Sequence, residues 1–249
     1  AFDSGGQTAL GVQTENSRQW FYIYTAQQRL ESYYRLPVLA YERPVHSVGI
    51  VINGVKGGVT YMREPISGPN FAFTGYVYGG REMSMGTFIH ETAGHAFGLL
   101  GDEYSTSGFD PGQPFEIPDY EATRLRNEQK KGWYLNLSLT SDPKSVYWAH
   151  LIGHPRYPYV GVLQGGYYYA FGVWRSESYS LMENSTNFYF NTICRELIVR
   201  RIMALTGEEY TFDKFLAKDS DKDRPNLSKS RSQQIKDQER RHQPPIIGE

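Results

Sequence analysis

The chain has 249 residues with 26 basic and 27 acidic side chains, a formal net charge of −1 with both signs interspersed, so it lacks the basic footprint of a nucleic-acid binder. At 39% hydrophobic and 21% charged residues it has the composition of an ordinary globular protein, long enough to bury a sizeable core. No apolar run approaches the roughly 18 residues that a membrane span needs, and the single cysteine, Cys194, excludes a disulfide framework or a cysteine-rich metal site.

In chain order, residues 1–16 are rich in Gly, Ser and Thr and read as loop; the start Ala1-Phe2-Asp3-Ser4 has no initiator Met and reads as a processed or trimmed product. Ser17 is a candidate cap for a helix over Arg18 to Tyr34, with Trp20, Ile23, Tyr24 and Leu30 at roughly helical spacing. The β-branched run Val45 to Asn53 predicts a buried strand, and Gly58 to Met62 alternates like an edge strand. Ser67 to Glu82 reads as glycine-rich loop with some strand character. A helix is expected from near Ser84 to Gly98, where glycine suits a left-handed C-terminal residue.

Residues 104–132 are polar and broken by Pro111, Pro114 and Pro118, and predict a surface excursion. Short irregular or strand-like pieces follow at Tyr147 to Leu151 and Gly161 to Trp174. Thr192 to Leu205 predicts an amphipathic helix with Ile193, Leu197, Ile198, Ile202 and Leu205 on one face and Gly207 ending it; Cys194 falls within it as a buried apolar residue. From Lys218 to Gln243 the chain is charged and nearly free of large apolar residues, a tail disordered on its own, with Pro244 to Ile247 able to dock back. Asp219, Asp221 and Asp223 alternate as in a calcium loop but lack its central glycine and closing glutamate, and read as a solvated turn. His46, His150, His154 and His242 read as incidental.

The chemistry concentrates in residues 88–104, FIHETAGHAFGLLGDEY. A zinc-protease helix spaces its histidines H-E-x-x-H; here His95 is one residue late. Positions four apart on an α-helix lie about 40° apart around the axis and share a face, whereas positions five apart lie about 140° apart. Three readings follow. A π-type turn, with i→i+5 bonding eased by Gly94, returns His90 and His95 to one side. Glu91 and His95, four apart, pair instead and leave His90 a bystander. Or the His-Glu pair is an ordinary solvated or core polar group.

Downstream residues favour the metal reading. Gly98 stands three residues after His95, where metzincin-type zinc proteases turn the chain back toward the metal, and Asp102 and Glu103 follow as candidate third ligands, Asp102 preferred. Met182, in the polar turn-like stretch Trp174 to Asn184 before the C-terminal helix, stands where such proteases keep a methionine turn.

HETAGHAFGLLGDEY, GGYYYAFGVWRSESYSLME and FNTICRELIVRRIM together resemble the bacterial IgA-peptidase family of zinc metallo-endopeptidases over about residues 84–207, with the stretch near 45–62 also fitting. The family pattern falls on His90, Glu91, His95, Gly98, Asp102, Glu103 and Tyr104, and the departure is the extra residue before His95. The resemblance implies an α+β, zincin-like catalytic domain over 1–216, with a small mixed sheet, an active-site helix and a C-terminal helix, then a polar tail over 217–249. The chain reads as beginning inside the family's domain. The resemblance further implies Zn2+ held by His90, His95 and Asp102, or alternatively Glu103, with Glu91 as general base and Gly98 and Met182 in support. Polypeptide substrates and a secreted, periplasmic or cell-surface location follow from it, with no nucleic-acid partner and no membrane span. The competing expectation is an inactive relative that binds peptides or glycans through its aromatic surface; a further one is a metal hydrolase of another bond, such as a cell-wall amidase.

Overall fold

The computed structural model describes residues 13–14, 21–22, 44–53, 58–62, 70–76, 81–106 and 114–219. The fold is α+β, and chain contacts divide it after Leu99 into two compact units, 1–99 and 100–249. Among the described residues no helix is long and apolar enough to cross a membrane.

In the first unit, β1 (Gln13–Thr14) and β2 (Phe21–Tyr22) form a short antiparallel pair. Phe21 and Tyr22 therefore do not belong to the helix expected over Arg18 to Tyr34, and the rest of that span lies outside the described residues. A three-stranded sheet is built from β3 (Ser47–Asn53), β4 (Gly58–Tyr61) and β5 (Asn70–Tyr76) in the order β3-β5-β4. β3 runs parallel to β5 and β4 antiparallel, so the sheet is mixed and β4 lies at its edge, as the sequence predicts, but β3, expected to be a buried strand, is the other edge, with Val51 61% exposed. The strand β5 occupies much of the stretch expected to be loop.

The sheet packs on a continuous helical segment that begins as α1 (Arg81–Ile89) and goes on from His90 to Phe97 as a π-helix. Close approach is permitted by glycine: a Cβ on Gly49 of β3 would come within 2.9 Å of Thr92 Cγ2 and 3.0 Å of the Phe88 ring. The segment starts three residues earlier than expected. Its end also differs. Gly98 keeps right-handed backbone (φ −74°) because its N–H is still bound, to Ala93 O at 2.9 Å, and Leu99 (φ 57°) takes the left-handed conformation expected of the glycine.

In the second unit, α2 (Asp119–Lys130) is a helix where a surface excursion was expected. Pro118 precedes it, Asp119 and Glu121 lie in its first turn and Lys130 in its last, all favourable to the helix dipole, but it buries only Ala122 and Leu125. So narrow a stripe leaves almost no periodic signal. An antiparallel sheet follows in the order β6-β8-β7, from β6 (Leu137–Ser138), β7 (Leu163–Gly166) and β8 (Tyr169–Arg175). Leu125, Leu137, Tyr167, Tyr169 and Val173 form a core between α2 and this sheet.

The larger core gathers Leu100, Trp148, Leu151, Tyr157, Met182, Ile193, Leu197 and Phe215 from the loops, α3 (Thr192–Thr206) and α4 (Phe212–Lys218). Each such side chain stabilises the fold by ~1.5–3 kcal/mol through removal from water. α3 matches its expected bounds within a residue: the Asn191 side chain accepts from Cys194 N at 3.0 Å, and Gly207 (φ 73°) ends it in left-handed backbone. Its buried face is rotated from the expectation. Ile193, Cys194, Glu196, Leu197 and Met203 are buried, whereas Ile202 and Leu205 are 44% and 42% exposed.

Two polar networks explain that rotation. Glu196 is buried because His150 Nε2 (2.8 Å), Arg200 (2.7 Å) and Tyr210 Oη (2.8 Å) converge on its carboxylate. Burial alone would raise the Glu196 carboxyl, but the hydrogen bonds from His150 and Arg200 prevail and hold it below its ordinary range. His150 is therefore structural rather than incidental. Asp219, expected in a solvated turn, is 8% exposed, takes two bonds from Arg195 (2.7 and 2.9 Å) and accepts from Tyr157 Oη at 2.8 Å. Asp221, Asp223, His242 and the 244–247 segment lie outside the described residues.

Candidate metal centre

The π-helix answers the spacing problem. An i→i+5 register restores positions five apart to one side, and the His90 and His95 rings meet edge to face with centroids 4.7 Å apart. Gly94, buried between them, adds no side chain to the distorted turn, and Thr92 Oγ1 donates to Phe88 O, a back-bond of the kind that bends helices. Of the three readings of the motif, the structure adopts the π-type turn.

His90, His95 and Asp102 each offer one ligand atom, and these atoms all lie within 4.8 Å of one another. The three residues are 6%, 9% and 6% exposed. Two imidazoles and one carboxylate form a donor set of the kind that holds a catalytic zinc. The residues present therefore fit the ion.

Glu91 also lies buried, 6% exposed, beneath the edge strand. Thr60 Oγ1 of β4 is 2.7 Å from Glu91 Oε2 and 2.9 Å from its backbone oxygen. Gly58 passes over the same carboxylate, and a Cβ there would come within 2.6 Å of Glu91 Cγ and 2.7 Å of Oε1. Glycine is thus required at 58 by contact alone. The strand that fixes Glu91 was legible in the sequence; the identity of Thr60 as its partner was not.

Asp102 and Glu103, adjacent in sequence, part ways. Asp102 Oδ2 accepts a 2.5 Å hydrogen bond from Tyr168 Oη. Burial, and then the charge of Asp102, push the Tyr168 phenol well above its ordinary value, so it stays protonated and a donor. Glu103 is fully buried and belongs to the scaffold. Asn136 Nδ2 reaches Glu103 Oε1 at 3.0 Å, Asn191 Nδ2 reaches both of its oxygens at 2.9 and 2.8 Å, and Cys194 Sγ lies 3.4 Å away. Burial raises the Glu103 carboxyl against the opposing effect of these amides, and burial together with the Glu103 charge raises the Cys194 thiol well above its usual range.

The same network sets the backbone of the ligand segment. Asn136 clamps Gly101, accepting from its N–H at 2.8 Å and donating to its C=O at 2.9 Å. Met182, wholly buried in the large core, accepts from Glu103 N through its backbone oxygen at 2.9 Å. The turn at Met182 is held by Ser180, whose Oγ accepts from Met182 N, and by Asn187, which donates to Ser180 O. Tyr168, Thr60, Asn136 and Asn191 are the residues sequence reasoning missed. Tyr168 falls within the conspicuous Tyr167-Tyr168-Tyr169 run, but nothing local singles it out. No family model matches this chain, and a search of curated proteins finds no match either.

Proposed function

We propose that this protein is a zinc-dependent endopeptidase with a zincin-like catalytic domain, as its resemblance to the bacterial IgA-peptidase family implies, acting on extracellular polypeptides. The observation that carries the reading is the grouping of His90, His95 and Asp102 ligand atoms within 4.8 Å, the two histidines lying on a helix whose π register places the late one beside the first. Zinc bound there supplies Lewis acidity, polarising the scissile carbonyl and acidifying a water. Glu91, next to His90 and oriented by Thr60, takes the proton of the attacking water and passes it to the leaving amine. The edge position of β4 suits an extended substrate, which adds to the sheet by main-chain hydrogen bonds. Secretion or surface display follows from the same resemblance.

The test is zinc content by mass spectrometry together with casein cleavage. Wild type is expected to carry one zinc per chain and His95→Ala none. Glu91→Gln is expected to keep the metal and lose cleavage by about 10²–10⁴-fold, the usual contribution of a general base. Wild type without zinc would sink the enzyme reading, and cleavage surviving in Glu91→Gln would remove Glu91 from the chemistry. Cleavage of muramyl peptides but not of casein would redirect the substrate class to the cell wall.

A further inference from the structure

The β7–β8 hairpin is attached to the segment that carries Asp102 by backbone and side chain at once. Tyr167 N donates to Asp102 O at 2.8 Å, Tyr168 N to Tyr104 O at 3.0 Å, and Thr106 N returns a bond to Tyr168 O at 3.1 Å. At the centre of this clasp, Tyr167 (φ 50°) and Tyr168 (φ 72°) are consecutive non-glycine residues in left-handed backbone, following Gly165 (φ 102°) and Gly166 (φ 151°). The pair is the two-residue loop that joins β7 to β8, where both central residues take left-handed backbone, at some cost for residues other than glycine. The turn also places one phenol 2.5 Å from Asp102 Oδ2. The Tyr104 ring packs edge-on against Tyr168 with centroids 5.2 Å apart, which fixes the ring from the side.

We propose that Tyr168 is a positioning residue for the metal site: its phenol holds the Asp102 carboxylate in one orientation and occupies part of its acceptor capacity, so the ligand meets the ion already placed. The inference rests on the zinc reading of His90, His95 and Asp102. Groups that hydrogen-bond a ligating carboxylate fix its direction and tune its donor strength, and their loss typically weakens metal binding ~10–100-fold. Tyr168 belongs to neither apolar core, so removing its hydroxyl leaves their packing in place.

The experiment compares wild type, Tyr168→Phe, Asp102→Ala and the double variant. It measures zinc affinity by chelator competition, the visible spectrum of the Co2+-loaded protein, and the melting temperature without metal. Tyr168→Phe is expected to weaken zinc ~10–100-fold, to alter the Co2+ bands and to leave the metal-free melting temperature nearly unchanged. In the Asp102→Ala background the same substitution is expected to have no effect on affinity, because the partner it acts through is gone. Zinc-binding wild type with an equally tight, spectrally identical Tyr168→Phe overturns the positioning role and leaves the zinc site standing. An equal effect in the Asp102→Ala background overturns it too, since Tyr168 would then act without Asp102. Wild type that takes up no zinc overturns the metal reading and this inference together.

Discussion

The π-helix at His90–Phe97 and the α-helix at Thr192–Thr206 both bury ionisable groups, but by opposite means. α3 is regular, capped by Asn191 and by left-handed Gly207, and its buried Glu196 is neutralised on the spot by His150, Arg200 and Tyr210. The π-helix buries His90, Glu91 and His95 within six residues and departs from α register. Glu91 is held by Thr60 on the edge strand, and the His90 and His95 rings meet each other edge to face. In α3 the polar residues serve packing. In the π-helix the regular register yields and polar residues meet, a departure of the kind that concentrates at functional sites.

That contrast predicts two kinds of damage. The largest loss of stability is expected from Glu103→Ala, at the hub between the ligand segment, Asn136 and the cap of α3. It leaves the buried amides of Asn136 and Asn191 without their shared acceptor, a cost on the order of 4 kcal/mol. His95→Ala should cost metal-free stability far less while abolishing zinc binding. Urea unfolding of both variants without metal checks the pair; equal losses would erase the distinction between the two regions.

A second, smaller effect is tied to pH. Glu177 is 3% exposed, and burial pushes its carboxyl from the ordinary 4.5 up to about 7, aided by the nearby Glu103 charge and opposed by the bond from Thr192 N. A raised folded-state value means that the group's contribution is complete below pH 4.5 and is lost as pH rises to about 7. The full loss is on the order of 3 kcal/mol, at ~1.4 kcal/mol per unit. Glu177→Gln keeps an oxygen for Thr192 N and has no charge to bury. Its melting temperature should match wild type at pH 4 and exceed it at pH 8. Parallel curves would show that Glu177 titrates normally.

The same contrast explains what the sequence made legible. The π turn could be foreseen as one of three readings, because histidines five apart do not share a face of a regular helix. The edge strand and the bounds of α3 were legible because β-branched runs, glycines and caps are local signals. The helix α2 was not, because burying only Ala122 and Leu125 leaves no periodic trace. Nor were Phe21 and Tyr22 as strand, since two residues cannot show alternation. Thr60 lies 31 residues from Glu91 and Tyr168 lies 66 from Asp102, and no local pattern encodes a pairing at such range. The grouping of His90, His95 and Asp102 was readable as a possibility, and the partners Thr60 and Tyr168 were not.

The subtlest test is to delete Ala93, which turns His90-Glu91-Thr92-Ala93-Gly94-His95 into the regular H-E-x-x-H spacing. Gly98 N now bonds Ala93 O, five residues back; with one residue removed, the segment can return to i→i+4 bonding while everything from Gly98 onward keeps its place. Glu91 precedes the deletion, so its contact with Thr60 should survive. The two histidines would then share a face by ordinary helical geometry. Zinc binding is expected to persist, and the melting temperature to rise by ~2–4 °C, the equivalent of about 1 kcal/mol for a chain of this size. Loss of zinc in a folded deletion variant would mean that the wider turn sets the angle between the imidazoles, and that the extra residue is part of the site rather than an insertion the site has absorbed.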